Sequence, residues 1–157
     1  MSTQNNNLSE IHSDSQFNAE NNTFGIVVSE WNSSITFSLL EGAKTALLEH
    51  KVKPENILIK YVPGTYELAY GAQFLLQEHH QLDSVICLGC VIQGETKHFD
   101  FICQAAAQGI MQVGLKYNKP AIFGVLTTNN EQQAIDRSGG KHGNKGVEAA
   151  LTAIKML

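Results

Sequence analysis

A glycine turn and a histidine follow one apolar run near the middle of the chain. The run from 84 to 92 (SVICLGCVI) predicts a strand that is buried on both faces. After Gly94 the sequence passes through Glu95 and Thr96 and enters a helical pattern that begins near His98. Backbone N–H groups at a helix start favour an anion, and a histidine side chain titrates near neutral pH. This stretch therefore predicts an anion site with a general acid–base group beside it.

Other chemically useful side chains stand where further predicted strands end. Trp31 and Asn32 follow the first strand, and Thr65, Tyr66 and Glu67 follow the second. An aromatic ring can stack on a planar ligand, and a carboxylate can accept hydrogen bonds from one. Position alone leaves other interpretations open, because Trp31 can be a core residue and Glu67 a favourable charge in a helix's first turn.

Two cations near the end of the chain lie in a glycine-rich segment. Arg137 ends a predicted short helix, and Lys145 follows Gly139 and Gly140. Such cations are more often solvated surface charges, although a guanidinium fork suits a phosphate group.

The sequence Cys87-Leu88-Gly89-Cys90 matches a redox motif but lies inside a predicted strand. Three residues of strand separate two Cα atoms by ~10 Å and turn the side chains to opposite faces. A disulfide requires less than about 7 Å between the Cα atoms. We therefore expect buried, structural thiols here, and neither redox chemistry nor zinc binding.

Four apolar runs predict strands, and a helical pattern follows each of them. The first helix is expected to use Ser33 or Ser34 as its N-cap, and Thr128 to Glu131 reads as a capping box for a short helix. The predicted strands are 24–29, 57–62, 84–92 and 121–126. Five helices are predicted: one from 34 to about 50, one from 68 to about 79, one that begins near 98, a short one that ends at 137, and one that begins near 144.

This alternation predicts a parallel sheet between two layers of helices, with right-handed crossovers. In such folds ligands bind outside the carboxyl ends of the strands, where the loops described above converge. A sheet of four strands leaves unpaired edges, which mildly favours an oligomer.

Length and charge narrow the class of protein. A chain of 157 residues suits one domain, and the net charge of −4 argues against a nucleic-acid surface. Residues 1–22 are polar and lack the pattern of a signal peptide, and no apolar run approaches the roughly 20 residues that span a bilayer. We expect a flexible tail over 1–22, one domain over 23–157, and a cytoplasmic location.

Taken together, the motifs resemble those of the 6,7-dimethyl-8-ribityllumazine synthase family. The resemblance covers about Phe24 to Met156 and rests on the order of several segments. These are GIVVSEWN, VPGTYELAYGA, GCVIQGETKHFDFI, PAIFGVLTTNNEQQAIDR and GGKHGNKGVEAALTAI.

The resemblance implies a flavodoxin-like three-layer sandwich and a transferase of riboflavin biosynthesis. Its reaction joins 5-amino-6-(D-ribitylamino)uracil to 3,4-dihydroxy-2-butanone 4-phosphate and releases phosphate and water. It implies no metal and no organic cofactor. The residues that align with the pyrimidinedione and ribityl site are Trp31, Asn32, Thr65, Tyr66, Glu67, Cys90, Val91, Ile92, Phe123 and Lys145.

The remaining roles also follow from the resemblance. His98 aligns with the proton-transfer histidine, and Glu95 and Thr96 align with the pair whose amides bind the phosphate. Arg137 is expected to pair with the phosphate, and both it and Phe123 are expected to come from a neighbouring subunit. The family forms homopentamers, and the compact segment from Arg137 to Lys145 resembles that of members that form sixty-subunit icosahedral shells.

The chain departs from the family pattern in one loop. Gln93 stands where many relatives carry Arg or Lys, and Glu95 adds a negative charge nearby. Both can weaken affinity for the phosphate substrate. Two alternatives stay open at this point: an archaeal-type riboflavin synthase, which dismutates two lumazines, and a weakly catalytic relative that carries lumazine or flavin.

Overall fold

The predicted strands form one parallel sheet in the computed structural model, which describes residues 18–157. Within this range the strands stand in the order β2-β1-β3-β4, so that β1 and β3 are central. The predicted starts are confirmed, and the fourth strand runs two residues further than expected. The strands are β1 Phe24–Ser29, β2 Ile57–Val62, β3 Ser84–Ile92 and β4 Ala121–Thr128.

Helices cover both faces of this sheet and give the predicted three layers. Apolar residues of α1 and α5 pack on one face, and those of α2 and α3 pack on the other. The predicted α/β class is therefore confirmed. The helices are α1 Ser33–Glu49, α2 Leu68–Glu78, α3 His98–Tyr117, α4 Glu131–Asp136 and α5 Lys145–Lys155, with short 3₁₀ turns at Pro54–Asn56 and Thr65–Glu67.

Strand β3 is buried on both faces, as its apolar sequence predicts. Cys90 packs with the residues beneath α1 and α5, whereas Cys87 packs with those beneath α2 and α3. Both thiols are free. The interpretation of this Cys-x-x-Cys as two structural thiols on opposite faces is confirmed.

The predicted N-cap of α1 is wrong. Asn32, rather than Ser33 or Ser34, is the N-cap, and it adopts a left-handed conformation with φ 58°. Its carbonyl oxygen accepts hydrogen bonds from the N–H groups of Ile35 and Thr36. The side chain of Asn32 is used elsewhere, so the helix starts without a side-chain cap.

The predicted capping box of α4 is displaced by two residues. Thr128 is the last residue of β4, and Asn130 caps the helix by accepting a hydrogen bond from the N–H of Gln133. The Gln133 side chain in turn accepts from the N–H of Asn129 at 2.9 Å. The start of α4 is therefore capped by two side-chain hydrogen bonds of the capping-box type, two residues after the predicted position.

A small hairpin that the sequence did not predict joins α4 to α5. Its strands are β5 Ser138–Gly140 and β6 Gly143–Asn144, which pair antiparallel. Gly139 and Gly143 have φ values of 121° and 78°, which glycine adopts without strain.

The predicted tail of residues 1–22 lies mostly outside the described residues. Within its last part, Ala19 is buried and donates its N–H to the carbonyl oxygen of His50 at 3.0 Å. Packing against the domain therefore begins before residue 23. From residue 18 onward the structure contains no helix with the length and apolar character that a membrane span requires.

Candidate active site

A cleft of about 760 Å³ opens at the carboxyl ends of β1, β2 and β3. This is the edge at which a parallel α/β sheet binds its ligands. Nine of the residues predicted from the sequence line it. The lining consists of Trp31, Asn32, Pro63, Gly64, Thr65, Tyr66, Glu67, Cys90, Val91, Ile92, His98 and Ile102.

Trp31 lies in the cleft wall with 72% of its surface exposed, so it is not a core residue. Its backbone is nevertheless fixed. The N–H of Glu30 donates to the carbonyl oxygen of Val62 at 2.8 Å, and the N–H of Trp31 donates to that of Pro63 at 3.1 Å. A large aromatic surface is thus presented to solvent from a loop anchored to β2, which suits stacking on a planar ring.

Asn32 connects two of the loops that form the cleft. Its side-chain Nδ2 donates to the carbonyl oxygen of Cys90 at 3.0 Å. The left-handed backbone of Asn32 is what turns the chain from β1 into α1. Asparagine tolerates this conformation better than most residues do. The residue therefore fixes the position of Trp31 relative to β3.

The 3₁₀ turn after β2 brings three different functional groups to the cleft. Thr65 is 5% exposed, and its Oγ1 has no hydrogen-bond partner within residues 18–157. Tyr66 is exposed and Glu67 is half-buried. This hydroxyl is closed to solvent, and a buried hydroxyl that lacks a partner is costly.

Two glycines leave the space that this turn needs. A Cβ at Gly89 would lie 2.8 Å from Thr65 Oγ1, and a Cβ at Gly64 would lie 2.9 Å from Glu67 Oε2. Side chains at these positions would displace the hydroxyl and the carboxylate.

His98 is the first residue of α3 and forms another part of the cleft wall. Its side chain is exposed, and its backbone N–H donates to Thr96 Oγ1 at 3.4 Å. Ile102 lies one turn further along the same helix face, which explains why it also lines the cleft. Sequence reasoning missed Ile102 as a site residue, although its spacing from His98 could have indicated it.

Pro63 was also missing from the predicted site, whereas Gly64 was predicted to lie at this edge of the sheet but was given no role. Pro63 directly follows the end of β2, so the position of the strand exit was the available signal.

The predicted anion loop lies beside the cleft and is open to solvent. Gly94, Glu95 and Thr96 are all exposed, and a Cβ at Gly94 would meet nothing within 4 Å. Glu95 and Thr96 precede the first turn of α3 and do not line the cleft themselves. Their backbone, rather than their side chains, is the part suited to an anion.

Three predicted site residues lie away from the cleft of their own chain. Phe123 is in β4, opposite Cys87, and is partly exposed. Arg137 and Lys145 flank the β5–β6 hairpin, and both form ion pairs with Glu148, at 3.4 and 2.9 Å respectively. One copy of the chain therefore does not bring these three residues to the cleft.

Burial determines the state of the cysteines. It raises the pKa of Cys87 to about 12 and that of Cys90 to about 11. The pKa of Cys103 is also raised, first by burial and then by the charge of Asp100. Near neutral pH these thiols are protonated, which makes Cys90 a poor nucleophile although it lines the cleft.

In the part of the chain that the structure describes, no group of three or more His, Cys, Asp or Glu side chains could hold a metal ion.

The fold and the cleft define a class: a doubly wound α/β protein with a cleft at the strand ends that is lined by an exposed tryptophan, a carboxylate and a histidine. The family model described as 6,7-dimethyl-8-ribityllumazine synthase matches residues 21–157. The chain belongs to this family, and it is an enzyme.

Individual relatives are similar in sequence to this chain over nearly its whole length. A 6,7-dimethyl-8-ribityllumazine synthase of Cytophaga hutchinsonii is 61% identical over 140 residues, which is 89% of this chain and 87% of the relative. Proteins with the same name from Parabacteroides distasonis and Porphyromonas gingivalis are 54% and 50% identical. They cover 100% and 99% of this chain, and 98% and 96% of their own lengths.

Proposed function

We propose that the enzyme condenses 5-amino-6-(D-ribitylamino)uracil with 3,4-dihydroxy-2-butanone 4-phosphate to give 6,7-dimethyl-8-ribityllumazine, phosphate and water. The observation that carries this proposal is the convergence of Trp31, Glu67 and His98 on one cleft beside the start of α3. Family membership supports the same chemistry.

The reaction suits such a cleft because two bound reactants need orientation more than they need strong activation. The amine of the pyrimidine condenses with the ketone, phosphate leaves, and ring closure with loss of water gives the lumazine. Holding two reactants in position can supply part of the ~7–11 kcal/mol that well-oriented groups gain. His98 moves protons between these steps, as a general acid and base.

The pyrimidine substrate is proposed to occupy the wall formed by the first two loops. Its ring stacks on Trp31, and its ribityl hydroxyls bond to the turn at Thr65 and to the carboxylate of Glu67. Asn32 and Tyr66 complete this wall, and the backbone of residues 90–92 contacts the polar edge of the ring. The exposed ring of Trp31 and the positions of Thr65 and Glu67 in the cleft wall support this arrangement.

The phosphate of the second substrate is proposed to bind at the start of α3. The backbone N–H groups near Glu95 and Thr96 contact it, and Arg137 of a neighbouring subunit supplies the charge, with Lys145 nearby. Gln93 is neutral, so Arg137 carries more of the charge compensation in this chain than in relatives with a cation at that position. Phe123, also from a neighbour, closes the pocket over the ring.

This division of the site between subunits requires an oligomer, and we propose a homopentamer that assembles further into a sixty-subunit shell. The exposed apolar residues Phe101, Met111 and Leu115 of α3 support close contact with another copy. Static light scattering at micromolar concentration measures the mass. A free pentamer would refute the shell, and a monomer would refute the shared site.

The function is tested by mixing the protein with both substrates and following the lumazine by absorbance, with phosphate release measured in parallel. The expected result is stoichiometric formation of both products. Riboflavin formed from lumazine alone would instead identify a riboflavin synthase. Tight binding of lumazine without turnover would identify a carrier.

A further inference from the structure

A buried carboxylate joins the two cations that flank the β5–β6 hairpin. Glu148 lies in the first turn of α5 and is 4% exposed. Its Oε2 accepts from Lys145 Nζ at 2.9 Å, and its Oε1 lies 3.4 Å from Arg137 Nη2. Each oxygen of one carboxylate is therefore assigned to a different cation.

The backbone of the hairpin does not depend on this carboxylate. The N–H of Lys145 donates to the carbonyl oxygen of Arg137 at 2.9 Å. The side chain of Asn144 donates to the carbonyl oxygens of Ser38 and Ser138 at 3.0 and 3.3 Å. Since these bonds already close the hairpin, the ion pairs of Glu148 chiefly determine where the two cationic side chains lie.

Arg137 is held at one corner of its guanidinium. Of the five N–H groups that an arginine side chain offers, one contacts Glu148, and no other side chain within residues 18–157 hydrogen-bonds to it. The side chain is mostly buried, which restricts its movement. The arrangement leaves the other donors of the fork free for an oxyanion.

The two positive charges explain why a carboxylate is useful beside a proposed phosphate site. Arg137 and Lys145 are close enough to share one carboxylate, so without it two partly buried cations would repel each other. With Glu148 the group keeps a net charge of about +1 and a fixed geometry.

We propose that Glu148 is a positioning residue that aims Arg137 at the phosphate of the four-carbon substrate in a neighbouring subunit. This inference rests on the proposed function, because it requires that the substrate carry a phosphate and that Arg137 contact it. Glu148 itself touches no substrate.

The test is steady-state kinetics on the assembled Glu148→Gln variant, which keeps the side-chain volume and removes the charge. The KM for the butanone phosphate is expected to rise about tenfold, whereas kcat and the KM for the pyrimidine stay within about twofold. Asp136→Asn is the matched control, since the Asp136 carboxylate pairs with Lys141 of the same segment at 3.1 Å, whereas Arg137 and Lys145 pair with Glu148. The control is expected to keep both KM values.

A double-mutant cycle distinguishes positioning from a general loss of structure. Arg137→Ala alone is expected to raise the KM for the butanone phosphate far more than that for the pyrimidine. In this background Glu148→Gln is expected to change neither KM by more than about twofold. Multiplicative effects of the two substitutions, or equal changes in both KM values for Glu148→Gln, would overturn the inference.

Failure of the proposed function has a different signature. Wild-type protein that forms no lumazine from the two substrates contradicts the function, whereas normal wild-type turnover with an unaltered Glu148→Gln variant contradicts only the positioning role. If Glu148→Gln does not assemble, Glu148→Asp keeps the charge and shortens the side chain, and it should give the same selective rise in KM. Failure of both variants to assemble would show a structural role and refute the inference.

Discussion

At the scale of single residues, the cleft presents side chains whose backbones are firmly held while their functional groups remain free. Trp31 is exposed on a loop that two hydrogen bonds tie to the end of β2. Thr65 has a hydroxyl without a partner among the described residues, and His98 starts a twenty-residue helix. A site of this kind is organised before its ligand arrives, which reduces the entropic cost of binding.

Replacing His98 by alanine is expected to slow turnover without abolishing it. General acid–base help is typically worth ~10²–10⁴-fold, and orientation of the two substrates would survive the substitution. Single-turnover measurement of lumazine formation checks this. His80→Ala, which changes an exposed histidine beyond the end of α2, is the matched control. Complete loss of turnover in folded His98→Ala, or an unchanged rate, would contradict the assigned role.

The buried thiols are expected to resist labelling at pH 8 in the native protein. Because burial raises the pKa of Cys87 from its ordinary value of 9.0 to about 12, the thiolate that reacts is scarce until the pH approaches that value. The folded chain also holds this proton more tightly than the unfolded chain does. The contribution of Cys87 to stability is therefore present below about pH 9 and decreases as the pH rises toward 12.

The rate of reaction with Ellman's reagent, compared between native and urea-unfolded protein, measures this effect. Equal rates at pH 8 would show that Cys87 is accessible.

At the scale of elements, the contact between α1 and α5 depends on one position without a side chain. A Cβ at Gly146 would lie 1.9 Å from the carbonyl oxygen of Leu39, which belongs to the backbone of α1 and cannot turn aside. Gly146→Ala is therefore expected to lower the free energy of unfolding by about 3 kcal/mol, near the upper range for overpacking.

The midpoint of urea unfolding measures this loss. Gly94→Ala is the control, since a Cβ there meets no atom within 4 Å, and it should change stability by less than about 1 kcal/mol. Similar midpoints for the two variants would contradict this account of α1–α5 packing.

The sequence predicted the elements well where one local pattern decides them. The strands β1 to β3 begin and end as expected, because each is a short apolar run closed by glycine, proline or polar residues. The cap of α1 was mispredicted because the outcome depends on a distant partner. Asn32 is left-handed while its side chain reaches Cys90, 58 residues away, and no local pattern near Ser33 indicates such a bond.

The candidate site also contains residues that the sequence predicts and residues that it does not. Residues at the exits of β1, β2 and β3 could be predicted, because parallel strands bring their carboxyl ends to one edge. The ion pairs of Arg137 and Lys145 could not be predicted, because their common partner Glu148 looks in the sequence like an ordinary acidic residue at a helix start.

At the scale of the whole molecule, residues 18–157 of one copy leave several large apolar side chains exposed. Leu115, which is 76% exposed, and Met111 lie on the outer side of α3, and Phe101 lies near its start. Several large apolar side chains exposed along one helix are typical of an interface.

Leu115→Asp is therefore expected to reduce the mass of the assembly, because it places a charge at a contact between copies. Sedimentation velocity measures the change, and Asn21→Asp, which adds the same charge at an exposed turn, should leave the mass unaltered. An assembly of unchanged mass in Leu115→Asp would exclude this part of α3 from the interface.

The strand order also has a consequence for synthesis on the ribosome. Among residues 18–157, those that line the cleft lie between positions 31 and 102, whereas β4, which covers the free edge of β3, ends at Thr128. A growing chain thus completes the walls of the cleft while the long, apolar β3 still has one unpaired edge. Open apolar edges recruit other strands, so we expect the nascent chain to be most prone to misassociation after β3 has emerged and before β4 has docked.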